Sequence, residues 1–74
     1  MAQERVKSEI TGKVWKILTP EGAAVEEEET LIIIESMKME IPVLADVSGT
    51  VAEIVVAPGD VVHDGDPLVV LTDA

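Results

Sequence analysis

The apolar residues of this chain fall into short clusters separated by glycine, proline and charged residues, and no window supports a long helix. The clusters follow an order that occurs twice. A polar lead reaches Val6, a break follows at Gly12, and a second segment runs through Val14 and Ile17. After Gly22 come a short segment at Val25, the charged turn Glu26–Glu29 and the aliphatic run Leu31–Ile34. The same order restarts at Val43 and passes Gly49, Val51, Ile54, Gly59 and Val62 on its way to the run beginning at Leu68. Each half reads as four short strands punctuated by turn chemistry.

Displacing the sequence on itself by 37 positions lays Val6–Ser36 over Val43–Asp73 without a gap. Identities fall at Val6/Val43, Gly12/Gly49, Val14/Val51, Ile17/Ile54, Gly22/Gly59, Val25/Val62 and Leu31/Leu68, and pairs such as Ile10/Val47, Thr11/Ser48 and Ile34/Leu71 exchange like for like. Pro20 and Pro58 stand beside the Gly22 and Gly59 turns, where a fixed φ next to a permissive residue favours chain reversal. Pro42 and Pro67, which cannot donate to a ladder, belong at strand starts or edges.

A unit of about thirty residues cannot bury an apolar face alone, so the two copies are predicted to pack about a pseudo-two-fold axis. The expected fold is all-β, a flattened barrel or sandwich of two four-stranded sheets. Its expected parts are a flexible lead over residues 1–5 and a domain over 6–73, made of units 6–36 and 43–73 joined by 37–42. A two-fold perpendicular to the strands sends the ends of the copies, Ser36 and Asp73, to opposite poles. The joining stretch Met37–Pro42, "MKMEIP", has no counterpart in the repeat, and Lys38 is expected near the apex of a hairpin there.

Composition narrows what such a body can do. A chain of 74 residues allows one domain, and a domain this small buries only about 60% of the surface its unfolded form exposes. A net charge of −10 opposes binding to nucleic acid or anionic lipid. Without cysteine there is neither a disulfide nor a thiolate metal site, which suits a reducing cytoplasm. The N-terminal "MAQERVKSEI" is not a secretory leader, and Leu31–Ile34 is far too short to span a bilayer. The run Glu26–Glu29 reads as a solvated turn.

Among the positions that differ between the copies, three stand out. Glu28 stands where the second copy has Gly65, so if both turns are alike and Gly65 takes φ > 0, Glu28 stores roughly 1 kcal/mol of strain. Trp15 stands opposite Ala52, as a packing plug, a half-exposed ring or a docking residue. His63 has Glu26 as its mate and no second histidine or cysteine near it, so it reads as a solvated turn residue rather than a metal ligand.

The segments "ESMKMEIP" and "ADVSGTV" resemble the biotinyl domain of biotin-dependent carboxylases, whose signature is Met-Lys-Met at a hairpin turn. The resemblance covers Val6–Thr72, and the length is similar to that of the small stand-alone bacterial carriers. It implies a barrel-sandwich hybrid fold, with biotin joined by an amide to Lys38 through a biotin protein ligase. Met37 and Met39 match the flanking positions that serve ligase recognition and the surroundings of the attached ring, and Glu35 matches the acidic residue three positions before the lysine. Read by themselves, the methionines are equally gap-fillers on an apolar edge and Glu35 a solvated strand end. Ser36 replaces the family's more frequent alanine.

The resemblance further implies a non-catalytic, monomeric, cytoplasmic carrier. Its biotin would be carboxylated at a biotin carboxylase and would deliver the carboxyl group at a carboxyltransferase, with an acyl-CoA the expected acceptor. No acid–base pair, activated nucleophile or metal cluster can be assembled from the residues present. A primary amine on a four-carbon stem is a long nucleophilic handle, but it is protonated at neutral pH, so the ligase must help remove its proton. Two other uses of the fold remain open here. One is a lipoyl carrier of a 2-oxoacid dehydrogenase complex, although those domains usually have Asp before the lysine and Ala or Val after it. The other is an unmodified structural module.

Overall fold

A computed structural model describes residues 3–72. The chain forms eight strands: β1 (Gln3–Lys7), β2 (Gly12–Ile17), β3 (Ala24–Val25), β4 (Thr30–Ser36), β5 (Met39–Leu44), β6 (Gly49–Ile54), β7 (Val61–Val62) and β8 (Pro67–Thr72). They build two antiparallel four-stranded sheets, ordered β1-β8-β6-β3 and β5-β4-β2-β7. Each sheet takes two strands from each repeat. A shift of 37 residues exchanges the two sheets, as the pseudo-two-fold requires.

The hydrogen bonds outside the ladders obey the same symmetry. Val14 N–H donates to Asp60 O at 2.8 Å and Val51 N–H to Ala23 O at 2.9 Å; Gly22 N–H donates to Val51 O and Gly59 N–H to Val14 O, both at 2.7 Å. Each copy thus pins the other's Gly turn to its own second strand.

The apolar runs do not alternate strictly in and out because bulges interrupt them. The β4–β5 register skips between Thr30 and Ile32, and the β1–β8 register skips Leu68, the repeat mate of Leu31. Each bulge lets two consecutive residues face inward, Leu31 with Ile32 and Leu68 with Val69, all four without measurable exposure. With Val6, Val14, Val25, Ile34, Ala45, Val51, Val62 and Leu71 they form the core.

Two boundaries differ from expectation. Gln3, Glu4 and Arg5, expected in a flexible lead, form the start of β1 and pair with Thr72, Leu71 and Val70. These residues are polar and exposed, so hydropathy does not reveal them. They form the sheet edge by satisfying the ladder groups of β8. Their repeat mates are Glu40, Ile41 and Pro42, which lie in β5 beside β4. The joining stretch without a counterpart among the described residues therefore shrinks from Met37–Pro42 to Met37–Met39. Residues 1, 2, 73 and 74 lie outside the described part, including the end of the second repeat unit.

The pairings also set the poles. Ser36 ends β4 beside Gly12, while β8 starts at Pro67 beside Lys7, only the loop 8–11 away from Gly12, and runs away to Thr72. Thr72 pairs with Thr50, which pairs with Ala24 at the far end. The Ser36 end and the Thr72 end therefore lie at opposite ends of a body measuring 36 × 18 × 18 Å. No helix among the described residues is long and apolar enough to cross a membrane.

Candidate functional site at the β4–β5 turn

The β4–β5 ladder runs through Ile34↔Ile41, Glu35↔Glu40 and Ser36↔Met39, so Met37 and Lys38 are the two central residues of the tightest hairpin turn. Their φ angles are 51° and 65°. Two successive left-handed residues define the type I′ geometry, whose twist matches the flanking strands and whose usual sequence is Asn-Gly or Asp-Gly. Here neither residue is Gly or Asn, and the left-handed conformation costs roughly 1–2 kcal/mol at each. The rest of the hairpin supplies the restraint that holds this turn.

Part of that restraint comes from the loop before β2. The Ser36 hydroxyl donates to Thr11 O at 2.9 Å, tying the hairpin root to the other arm of the fold. The approach is close because residue 12 has no side chain: a Cβ on Gly12 would lie 2.6 Å from Glu35 O and 2.8 Å from Ile34 Cγ2. Gly12 is not among the residues with positive φ, so it serves close approach rather than a left-handed turn. The repeat marks Gly12 in the sequence, but neither its contact with β4 nor the Ser36 bond can be read there.

The structure brings Met37, Lys38 and Met39 together at the tip and leaves them in solvent. Met37 is 92% exposed and Met39 63%, so neither fills an apolar gap. Lys38 is exposed, and among the described residues it makes no ion pair or hydrogen bond to another side chain. Glu35 stands apart from this group, facing solvent one rung below the turn with Glu40 on one side and Lys13 on the other. The like charge of Glu40 opposes it and the cation of Lys13 favours it. An uncovered primary amine on a restrained turn suits amide attachment of a carboxylic acid cofactor.

The other marked positions lie elsewhere. His63 is exposed in the turn before β8, where its N–H donates to Asp66 Oδ2 at 2.8 Å and its Nδ1 lies 3.6 Å from the same oxygen. Trp15 occupies a bulge where the β2–β4 register skips between Val14 and Lys16. Its ring is half-exposed, with Lys16 Nζ 5.9 Å from the centroid.

Residues 2–71 match the family described as "Biotin-requiring enzyme". A Mycobacterium leprae relative, "Biotinylated protein TB7.3 homolog", is 42% identical over 69 residues, covering 93% of this chain and 97% of its own length. Among solved structures, the Kluyveromyces lactis urea carboxylase superposes with a TM-score of 0.92 at 40% identity, over 97% of this chain and 6% of the carboxylase. A single-chain, multi-domain long-chain acyl-CoA carboxylase does so with a TM-score of 0.90 at 32% identity, over 97% of this chain and 7% of that enzyme. The chain thus spans nearly the whole of one relative and a small part of the two carboxylases, and it belongs to the biotin-requiring family, with biotin as its covalent cofactor.

Proposed function

We propose that a biotin protein ligase joins biotin to Nζ of Lys38, and that the chain then serves as the carboxyl carrier between a biotin carboxylase and a carboxyltransferase. The observation that carries this reading is the placement of Lys38 at the second central position of the I′ turn, exposed, on a hairpin tip with a methionine on each side. Met37 and Met39 are the recognition elements beside it, and Glu35, one rung back, is a further contact for the ligase.

The chain is a carrier and not a catalyst. Attached biotin supplies a ring nitrogen that can take up a carboxyl group and release it. The polypeptide's part is presentation. The lysine stem holds the amine away from the backbone, and the ladder together with the Ser36–Thr11 bond limits the freedom lost on docking. Tethering raises the effective concentration at each partner's site. An acyl-CoA is the acceptor we favour, supported by the structural likeness to the long-chain acyl-CoA carboxylase. The charge of −10 keeps such a carrier monomeric by self-repulsion, and its lack of cysteine suits the cytoplasm.

The test is intact mass after co-expression with biotin protein ligase, for wild type and Lys38→Arg. One biotinyl addition to wild type and none to the variant is expected. No addition to wild type, under conditions that modify a control domain, would overturn the reading.

A further inference from the structure

The internal repeat provides its own control for residues the fold does not need. Trp15 and Ala52 are the bulged residues of β2 and β6, at breaks in register between Val14/Lys16 and Val51/Glu53. The backbone around them is pinned alike, Val14 N–H to Asp60 O at 2.8 Å and Val51 N–H to Ala23 O at 2.9 Å. Alanine therefore suffices to build this bulge, and an indole left 48% exposed is not there for the core.

The same comparison extends across the outer face of the sheet. Val61, 64% exposed and paired with Lys13, has Ala24 as its mate; Lys13 has Thr50, and Lys16 has Glu53. The face that carries the hairpin has thus gained an indole, an isopropyl group and two cations over its twin, in a chain with only 5 basic residues against 15 acidic. The acidic groups on this face, Glu35 and Glu40, lie together in the rung next to the turn. Lys13 stands opposite Glu35 in that rung, and Lys16, whose partner is Ile33, directly follows Trp15.

We propose that this face, centred on Trp15 and edged by Lys13 and Lys16, is the surface on which the ligase that modifies Lys38 docks, meeting it with an apolar recess bordered by carboxylates. The proposal rests on Lys38 being the attachment site. An unmodified lysine reaches only the length of its own stem, so the ligase must press against protein surface around the tip. One partner's share of a standard interface is about 800 Å², a disc roughly 16 Å in radius. Trp15 is the bulged residue between Val14, which pairs with Ile34 in β4, and Lys16, which pairs with Ile33, and at strand rise this puts it roughly 14 Å from Lys38, inside that disc. Partners that meet the cofactor at the end of its long arm need no such contact. Tryptophan is also among the residues that dominate binding energy at interfaces.

The test is the initial rate of biotinylation as carrier concentration is varied, for wild type, Trp15→Ala, Trp15→Phe, Ala52→Trp and the double variant Lys13→Glu/Lys16→Glu, with urea midpoints followed by circular dichroism. Trp15→Ala is expected to lower kcat/KM about tenfold, through KM, with the midpoint unchanged. Trp15→Phe recovers part of the loss, Ala52→Trp has no effect, and the double charge reversal lowers kcat/KM with a weakened salt dependence. Wild-type kcat/KM in either Trp15→Ala or the double variant would overturn the docking surface while leaving attachment at Lys38 intact. A wild type that takes up no biotin would overturn both.

Discussion

Glu28 and Gly65 occupy the same point of the same turn in the two repeats. Glu28 N–H donates to Ala45 O at 2.8 Å and Gly65 N–H to Ser8 O at 2.7 Å, with φ of 71° and 93°. A side chain in that region costs roughly 1–2 kcal/mol, while glycine gives back up to about 1 kcal/mol in unfolded-state entropy. Glu28→Gly is therefore expected to be neutral or to stabilise by up to about 1 kcal/mol, and Gly65→Ala to destabilise by about 1 kcal/mol. Urea midpoints measure both. A clear fall in midpoint for Glu28→Gly would show that the two turns differ in what they demand.

Thr19 is buried, and its Oγ1 finds no hydrogen-bond partner among the described residues. Its repeat mate is Val56, a side chain of the same shape without the hydroxyl, packed against the core. A buried hydroxyl left unpaired costs about 1–3 kcal/mol, so Thr19→Val is expected to raise the unfolding free energy by about 1 kcal/mol. An unchanged or lowered midpoint would mean that the hydroxyl is satisfied by solvent in the folded state.

How much of this was legible in the sequence depends on what kind of signal each feature leaves. The duplicated order of apolar segments and turns carries the strand count and the two-sheet architecture, because both copies must bury the same positions. Gln3–Arg5 are invisible to that signal, since an edge strand earns its place through ladder bonds rather than through burial. The left-handed backbone at Met37 and Lys38 runs against local preference, so only the register of the strands on either side produces it. The position of Lys38 at a pole was readable from the repeat. Its chemistry was not, because an exposed lysine looks like any surface charge and only the flanking methionines point to biotin.

Gly12 tests how the hairpin root is held. An added Cβ would meet backbone oxygen at 2.6 Å, and Glu35 O cannot rotate aside as a side chain could. Gly12→Ala is expected to cost about 1–3 kcal/mol, the usual penalty of overpacking. Ser36→Ala removes only the exposed bond to Thr11 O and is expected to cost no more than about 1 kcal/mol. Amide hydrogen exchange across β4 and β5 should rise in both variants, and more in Gly12→Ala. Equal protection in Gly12→Ala and wild type would mean that β2 and β4 move apart to admit the Cβ at no cost.

Met37 separates what the fold needs from what a partner reads. At 92% exposure its side chain contributes nothing to the core, and its backbone sits at φ 51°, which asparagine tolerates better than methionine. Met37→Asn is therefore expected to hold or raise the urea midpoint, by up to about 1 kcal/mol. If the thioether is a contact for the ligase, the same variant should be biotinylated several-fold more slowly at limiting carrier, about the effect of losing 1 kcal/mol of binding. Stability and modification then move in opposite directions from one exposed substitution, which a purely structural role for Met37 cannot produce. Unchanged biotinylation in Met37→Asn, measured beside a stable fold, would leave Met39 and the turn geometry as the features that present Lys38.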